Sequence, residues 1–69
     1  MRTNVTTIVY LMEGAILRSR GTRTAVSLAA RMGVSKARWN QYESAHTIHL
    51  DTVRRIARVL GCPLRDLVD

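Results

Sequence analysis

The sequence predicts an all-α domain, a compact bundle of five helices, and three observations lead to this prediction. The chain has 69 residues, of which 46% are hydrophobic, so residues 1–69 suit one domain with a thin core. Glycine and proline divide the chain into pieces of helical length. Within these pieces, apolar residues recur at spacings of three and four, as on one face of a helix.

The first predicted helix runs from about Ile8 to Arg20. Its apolar residues follow helical spacing although Gly14 lowers helix propensity by about 1 kcal/mol. Residues 5–10 are rich in β-branched side chains, which favour strands. The first piece could therefore begin as a strand.

The second and third predicted helices are closely spaced. Thr24 is a typical N-cap and Gly33 a typical stop for the second helix. Ser35 can cap a third helix directly afterwards. Only two residues and the helix ends separate the pair, which predicts a helix-turn-helix at about residues 24–43.

A polar connector at residues 44–49 leads to a fourth predicted helix, which ends at Gly61, and Pro63 can start a fifth. Trp39 could stack on a base, but its interior spacing favours packing in the core. The predicted core residues come from the second, third and fourth helices: Leu28, Trp39, Tyr42, Ile56 and Leu60.

The charge is strongly basic. The chain has 11 Lys and Arg against 5 Asp and Glu, a net charge of +6 at pH 7. Residues 18–38 contain six basic side chains and no acidic one. A polyanion is the expected partner, although the surplus could also serve an anionic membrane surface or solubility.

Several classes of protein are excluded on composition. The single cysteine, Cys62, cannot form an intramolecular disulfide, which favours the cytoplasm. No run approaches the roughly 20 apolar residues of a spanning helix, so we expect no membrane partner. His46, His49 and Cys62 are too few for a convincing zinc site. Without a phosphate-binding glycine loop or a spaced acid pair, we expect no enzyme, cofactor or small-molecule substrate.

Four fragments occur in a specific order: Leu28-Ala29, Gly33-Val34-Ser35, Tyr42-Glu43 and the closing string from Leu50 to Leu64. With them, about residues 17–68 resemble the phage-repressor and Cro-type (XRE-like) helix-turn-helix DNA-binding proteins. The resemblance implies a five-helix bundle whose third helix enters the DNA major groove. It also implies a repressor-type transcriptional regulator that binds double-stranded operator DNA as a homodimer.

The resemblance assigns roles by position. Base contacts fall on Lys36, Ala37, Asn40 and Gln41, because lysine can donate to guanine, amides can pair with adenine, and a methyl can contact thymine. An internal ion pair is implied between Arg18 and Glu43. Phosphate contacts are implied for helix N-termini and neighbouring polar or basic residues: Arg20, Arg23, Thr24, Ala25, Ser35, Arg38 and His46.

The chain also departs from the family pattern. Ala25 stands where the family usually has glutamine, which removes one side-chain phosphate contact. Arg23 stands where a core leucine is common, so either the turn is rebuilt or Arg23 points to solvent as a replacement phosphate ligand. Residues 1–14 match poorly and form a possible N-terminal extension or dimer arm.

Two alternative functions stay open. One is a protein-binding antitoxin or anti-repressor module on the same fold, which an exposed apolar patch of Val5, Val9 and Tyr10 would support. The other is a non-specific nucleic-acid binder that uses only the basic surface.

Overall fold

The computed structural model describes residues 7–69. It contains four α-helices, a two-stranded sheet and a short 3-10 helix at Leu64–Asp66, in place of the predicted five-helix bundle. In chain order the elements are β1 (Ile8–Tyr10), α1 (Ala15–Arg20), α2 (Ala25–Met32), α3 (Lys36–Ser44), β2 (Thr47–His49) and α4 (Leu50–Leu60).

The segment predicted to open the first helix forms β1 instead. It pairs antiparallel with β2, with Val9 opposite Ile48. Backbone hydrogen bonds flank the pair, from Leu11 N to the His46 carbonyl at 2.9 Å and from Leu50 N to the Thr7 carbonyl at 2.8 Å. The segment forms a strand despite its helical spacing, because its β-branched residues favour a strand and β2 lies beside it as a partner. Helix α1 begins only after Gly14, whose φ of 71° is left-handed.

An exposed apolar patch of Val5, Val9 and Tyr10 would support the protein-binding alternative. Val5 lies outside the described residues, and Val9 packs against the core. Alternation along the strand places Ile8 and Tyr10 on the opposite, outer face of the sheet. The exposed apolar pair is therefore Ile8 with Tyr10.

Two further predictions, for residues 44–49 and for the fifth helix, are corrected. The connector at 44–49 ends in β2, and the fifth helix is reduced to the 3-10 helix. From Leu67 onward the backbone bonds to the end of β1 and the residues after it: Met12 N donates to the Leu67 carbonyl at 2.8 Å and Asp69 N to the Tyr10 carbonyl at 3.0 Å. A longer helix would withdraw these backbone groups from their hydrogen bonds to residues 10 and 12.

The predicted boundaries of α2 and the start of α3 are confirmed. The Thr24 Oγ1 accepts a hydrogen bond from Ser27 N, and the Ser35 Oγ accepts one from Arg38 N, each at 3.1 Å. At the end of α2, Gly33 adopts a φ of 80°, a conformation that glycine reaches at low cost. The chain then turns directly into α3.

The core lies between the helices and the inner face of the sheet. Four of the five predicted core residues are buried, whereas Tyr42 is only partly buried. The Tyr42 ring packs edge-on against Trp39, with centroids 6.4 Å apart. Five side chains are completely shielded from solvent: Leu28, Trp39, Val53, Ile56 and Leu67.

Two features of residues 7–69 concern membranes and metal ions. No helix in this range combines the length and apolar character needed to cross a bilayer. No group of three or more His, Cys, Asp or Glu side chains in the same range is placed to hold a metal ion.

Candidate nucleic-acid interface

Helix α3 presents a polar face to solvent. Because successive helical residues turn by about 100°, five of its residues fall within an arc of about 140°. All five are exposed, and they include the four predicted base contacts: Lys36, Ala37, Asn40, Gln41 and Ser44. We call this arc the α3 face. Trp39 and Tyr42 lie on the opposite side of the helix, toward the protein, and the half-buried Glu43 lies next to Lys36, at the border between the two sides.

The inner side of α3 is attached to the protein by a polar network. The Trp39 Nε1 donates to Glu43 Oε2 at 2.8 Å. The same oxygen accepts a hydrogen bond from Arg20 Nη1 at 2.8 Å, in an ion pair between α1 and α3. This network holds α3 in one rotation about its axis, so the α3 face points outward.

The ion-pair partner predicted for Glu43 was wrong. Arg18 is exposed, and its Nη1 donates to the Glu13 carbonyl at 2.8 Å, whereas Arg20 binds Glu43. Residues two apart in a helix point about 200° away from each other. Only one of these two arginines can therefore face α3, and the packing of α1 selects Arg20.

Arg23 does not point to solvent as a free phosphate ligand. Its Nη2 donates to the carbonyls of Ser19 at 2.8 Å and Leu60 at 3.1 Å, and its Nε donates to the Arg20 carbonyl at 3.1 Å. These oxygens lie in the last turns of α1 and α4, where carbonyls lack intrahelical donors and the helix dipole is negative. The prediction for Arg23 is corrected: its guanidinium joins two helix ends.

The other predicted phosphate ligands differ in what they can offer. The side-chain oxygens of Thr24 and Ser35 accept capping hydrogen bonds. The first-turn amides of α2, including that of Ala25, lack intrahelical acceptors, as do those of α3. Arg38 and His46 are exposed. Arg20 is engaged with Glu43, so the remaining candidates are Arg38, His46 and these amides.

Sequence reasoning missed one arginine with an internal role. The Arg55 Nη2 donates to the Met32 carbonyl at 3.0 Å, at the C-terminal end of α2. The two residues are 23 positions apart in the chain, so no local pattern could have indicated the contact. Arg55 thereby links α4 to the end of α2, directly before the turn into α3.

Comparison with known proteins agrees with this geometry. The family model described as "Helix-turn-helix domain" matches residues 15–69, from the start of α1 onward and without β1. No curated protein and no solved structure gave a significant match. The family is typically non-enzymatic, and its fold implies DNA binding. Because the match covers more than half of the chain, the chain belongs to the helix-turn-helix domain family, of the XRE/Cro-like type.

Proposed function

We propose that this protein is a sequence-specific regulator of transcription, of the repressor type, that inserts α3 into the major groove of operator DNA. One observation carries the proposal: Lys36, Ala37, Asn40 and Gln41 share the exposed α3 face, while Trp39 on the opposite side of the helix is completely buried in the core. An attached helix with a free polar face can present side chains to base edges in a defined register.

The α3 face has the chemistry for direct readout. The Lys36 ammonium can donate to O6 and N7 of guanine, and the amides of Asn40 and Gln41 can each pair with N6 and N7 of adenine. The methyl group of Ala37 can contact the methyl of thymine. Discrimination between sequences is therefore assigned mainly to Lys36 and Gln41, with Asn40 between them.

Affinity for any sequence would come from phosphate contacts. Arg38 lies about 60° beyond Gln41 around α3, and it is exposed at the edge of the α3 face. The first-turn amides of α2 and α3 can also donate to phosphate oxygens, except those of Ser27 and Arg38, which donate to the capping side chains. These contacts position the helix without reading the sequence.

The size of α3 favours a pair of copies on DNA. A helix of nine residues is about 13 Å long, which matches about four base pairs at 3.4 Å each. Two copies related by a two-fold axis would double the length of sequence read. Their half-sites would lie about 34 Å apart, one turn of the duplex.

Selection of bound sequences from a random duplex pool tests the proposal. We expect a palindromic consensus that binds at least about 10³-fold more tightly than a scrambled duplex. Lys36→Ala should alter the preferred base at one position. The matched control is Arg65→Ala, which removes one exposed cation outside α3 and should leave the consensus unchanged.

Two results would contradict the proposal. Weak binding without a consensus, falling steeply with salt, would indicate a non-specific nucleic-acid binder. No duplex binding at all would instead favour a protein-binding module on the same fold.

A further inference from the structure

The outer face of the sheet exposes two large apolar side chains. Ile8 is 52% exposed and Tyr10 is 69% exposed. Their cross-strand partners are His49 and Thr47, respectively, and both are also exposed. We call these four residues the sheet face. Exposed apolar groups that adjoin one another in this way are typical of contact surfaces.

A groove of about 250 Å³ adjoins the sheet face. Ile8, Thr47 and His49 belong to both, and Tyr42 of α3 and Ala45, which directly follows α3, also line the groove. A cavity of about 150 Å³ accommodates benzene. The groove therefore has room for the phenol ring of one tyrosine.

The charge distribution favours contact between two copies of the chain at this surface. Among residues 7–69, neither the sheet face nor the groove lining contains Lys, Arg, Asp or Glu, although the chain carries a net charge of +6. Two copies of so basic a chain repel each other through most of their surfaces. At the sheet face, by contrast, apolar contact brings no formal cation directly against another.

We propose that the sheet face and its groove form the contact between two copies of this chain, with Tyr10 of each copy seated in the groove of the other. In a two-fold contact, each copy must carry on the same surface both a projecting group and the groove that receives it. This surface has both, the Tyr10 side chain and the groove. The inference rests on the proposed function in one respect, the need for two copies on a two-fold operator.

The location of the groove connects this contact to DNA reading. Gln41 lines the groove and also belongs to the α3 face. The two-fold axis would thus pass near the C-terminal end of α3, leaving the Lys36 end free. Two copies joined in this way should bind a duplex with two half-sites cooperatively, because the contact links the two binding events.

Sedimentation velocity on the full chain, alone and on the duplex selected above, tests the contact. Ile8→Glu and Tyr10→Glu should each weaken self-association at least about tenfold, because a carboxylate would be buried in an apolar contact. The matched control is Leu17→Glu, which changes the charge equally at a side chain that is also 52% exposed. Circular dichroism melts should show that all three variants remain folded.

Salt and NMR give independent readouts. Self-association should persist or strengthen as salt rises, because salt screens the repulsion between two basic chains, while DNA binding weakens. In a mixture of labelled and unlabelled chains, intermolecular NOEs should join the Tyr10 ring to the Ala45 methyl group.

The outcomes separate this proposal from the proposed function. Self-association that Tyr10→Glu disrupts, in a chain that binds no duplex, would support the contact and contradict the proposed function. Specific duplex binding by a chain that stays monomeric both free and on DNA would overturn the contact alone. Persistence of the dimer in both glutamate variants, or NOEs from another surface, would also overturn it. A different protein bound at Tyr10 in place of a second copy would count against it equally.

Discussion

Arg20 Nη1 lies 2.8 Å from Glu43 Oε2, and this ion pair joins α1 to α3. The side chains are 23% and 16% exposed, so both are largely withdrawn from water. The carboxylate oxygen also accepts the Trp39 indole N–H. One acceptor thus joins the proposed recognition helix to the first helix and at the same time satisfies the indole N–H of the core tryptophan.

Loss of Arg20 should therefore destabilise the fold. Arg20→Ala leaves Glu43 with the Trp39 N–H as its remaining partner, so the free energy of unfolding should fall by about 1 to 3 kcal/mol. Urea denaturation followed by circular dichroism measures the change. Arg18→Ala is the control, because Arg18 is exposed and its Nη1 donates to a backbone carbonyl, that of Glu13. Its effect should stay within about 0.5 kcal/mol, and a larger loss for Arg18→Ala than for Arg20→Ala would refute the assignment of the pair.

Replacing Arg23 should lower stability, whereas replacing Arg38 should weaken DNA binding. Arg23→Ala removes hydrogen bonds to three carbonyls at two helix ends, so stability should fall by about 1 to 3 kcal/mol. The salt dependence of DNA binding should not change. Arg38→Ala should leave stability nearly unchanged and reduce the slope of log K against log salt by about 1, as loss of one phosphate contact does. A reduced slope for a folded Arg23→Ala variant would restore Arg23 as a phosphate ligand.

Gln41→Ala should change specificity rather than stability. The side chain is exposed on the α3 face, and loss of a bidentate contact to adenine should cost about 1 to 3 kcal/mol at one base pair. Binding to duplexes with each of the four base pairs at that position measures the preference. Arg38→Ala serves as the comparison, since it should weaken all four equally. An unchanged preference in Gln41→Ala would remove its assigned role.

The fluorescence of Trp39 should show that its side chain lies in the core and does not stack on a DNA base. It is the only tryptophan and has no exposed surface, so acrylamide should quench its fluorescence weakly in both free and DNA-bound protein. Trp39→Phe keeps a ring but loses the hydrogen bond to Glu43, at a cost of about 1 to 3 kcal/mol. Strong quenching on addition of DNA would indicate stacking on a base instead.

The helix-turn-helix was predictable from the sequence because its signals are local. Thr24 and Ser35 cap α2 and α3 within three residues along the chain, and Gly33 ends α2 with its own backbone conformation. The spacing of Trp39 relative to the α3 face follows from helical geometry alone. Gly33 and Ser35 also belong to the fragments that resemble the XRE/Cro-like family, a resemblance that the family match confirms.

The sheet was not predictable with the same certainty. A strand is stabilised by its partner, and β1 pairs with residues about 40 positions later in the chain, as in Ile8 opposite His49. Locally, the segment satisfies both helical spacing and β propensity. The strand is favoured over the helix only once β2 pairs with this segment and Asp69 N bonds to the Tyr10 carbonyl on its other edge.

The arginines show most clearly where local reasoning ends. Their number and positive charge follow directly from the sequence, and so does the expectation of an anionic partner. Only the structure shows which arginines have internal partners. Arg20 binds Glu43, Arg23 binds carbonyls at two helix ends, and Arg55 binds the Met32 carbonyl. Arg38 remains exposed. Caps and turns act over a few bonds, so the chain order specifies them. A long side chain binds whichever acceptor the packed helices bring within reach, and that distance exists only in the folded molecule.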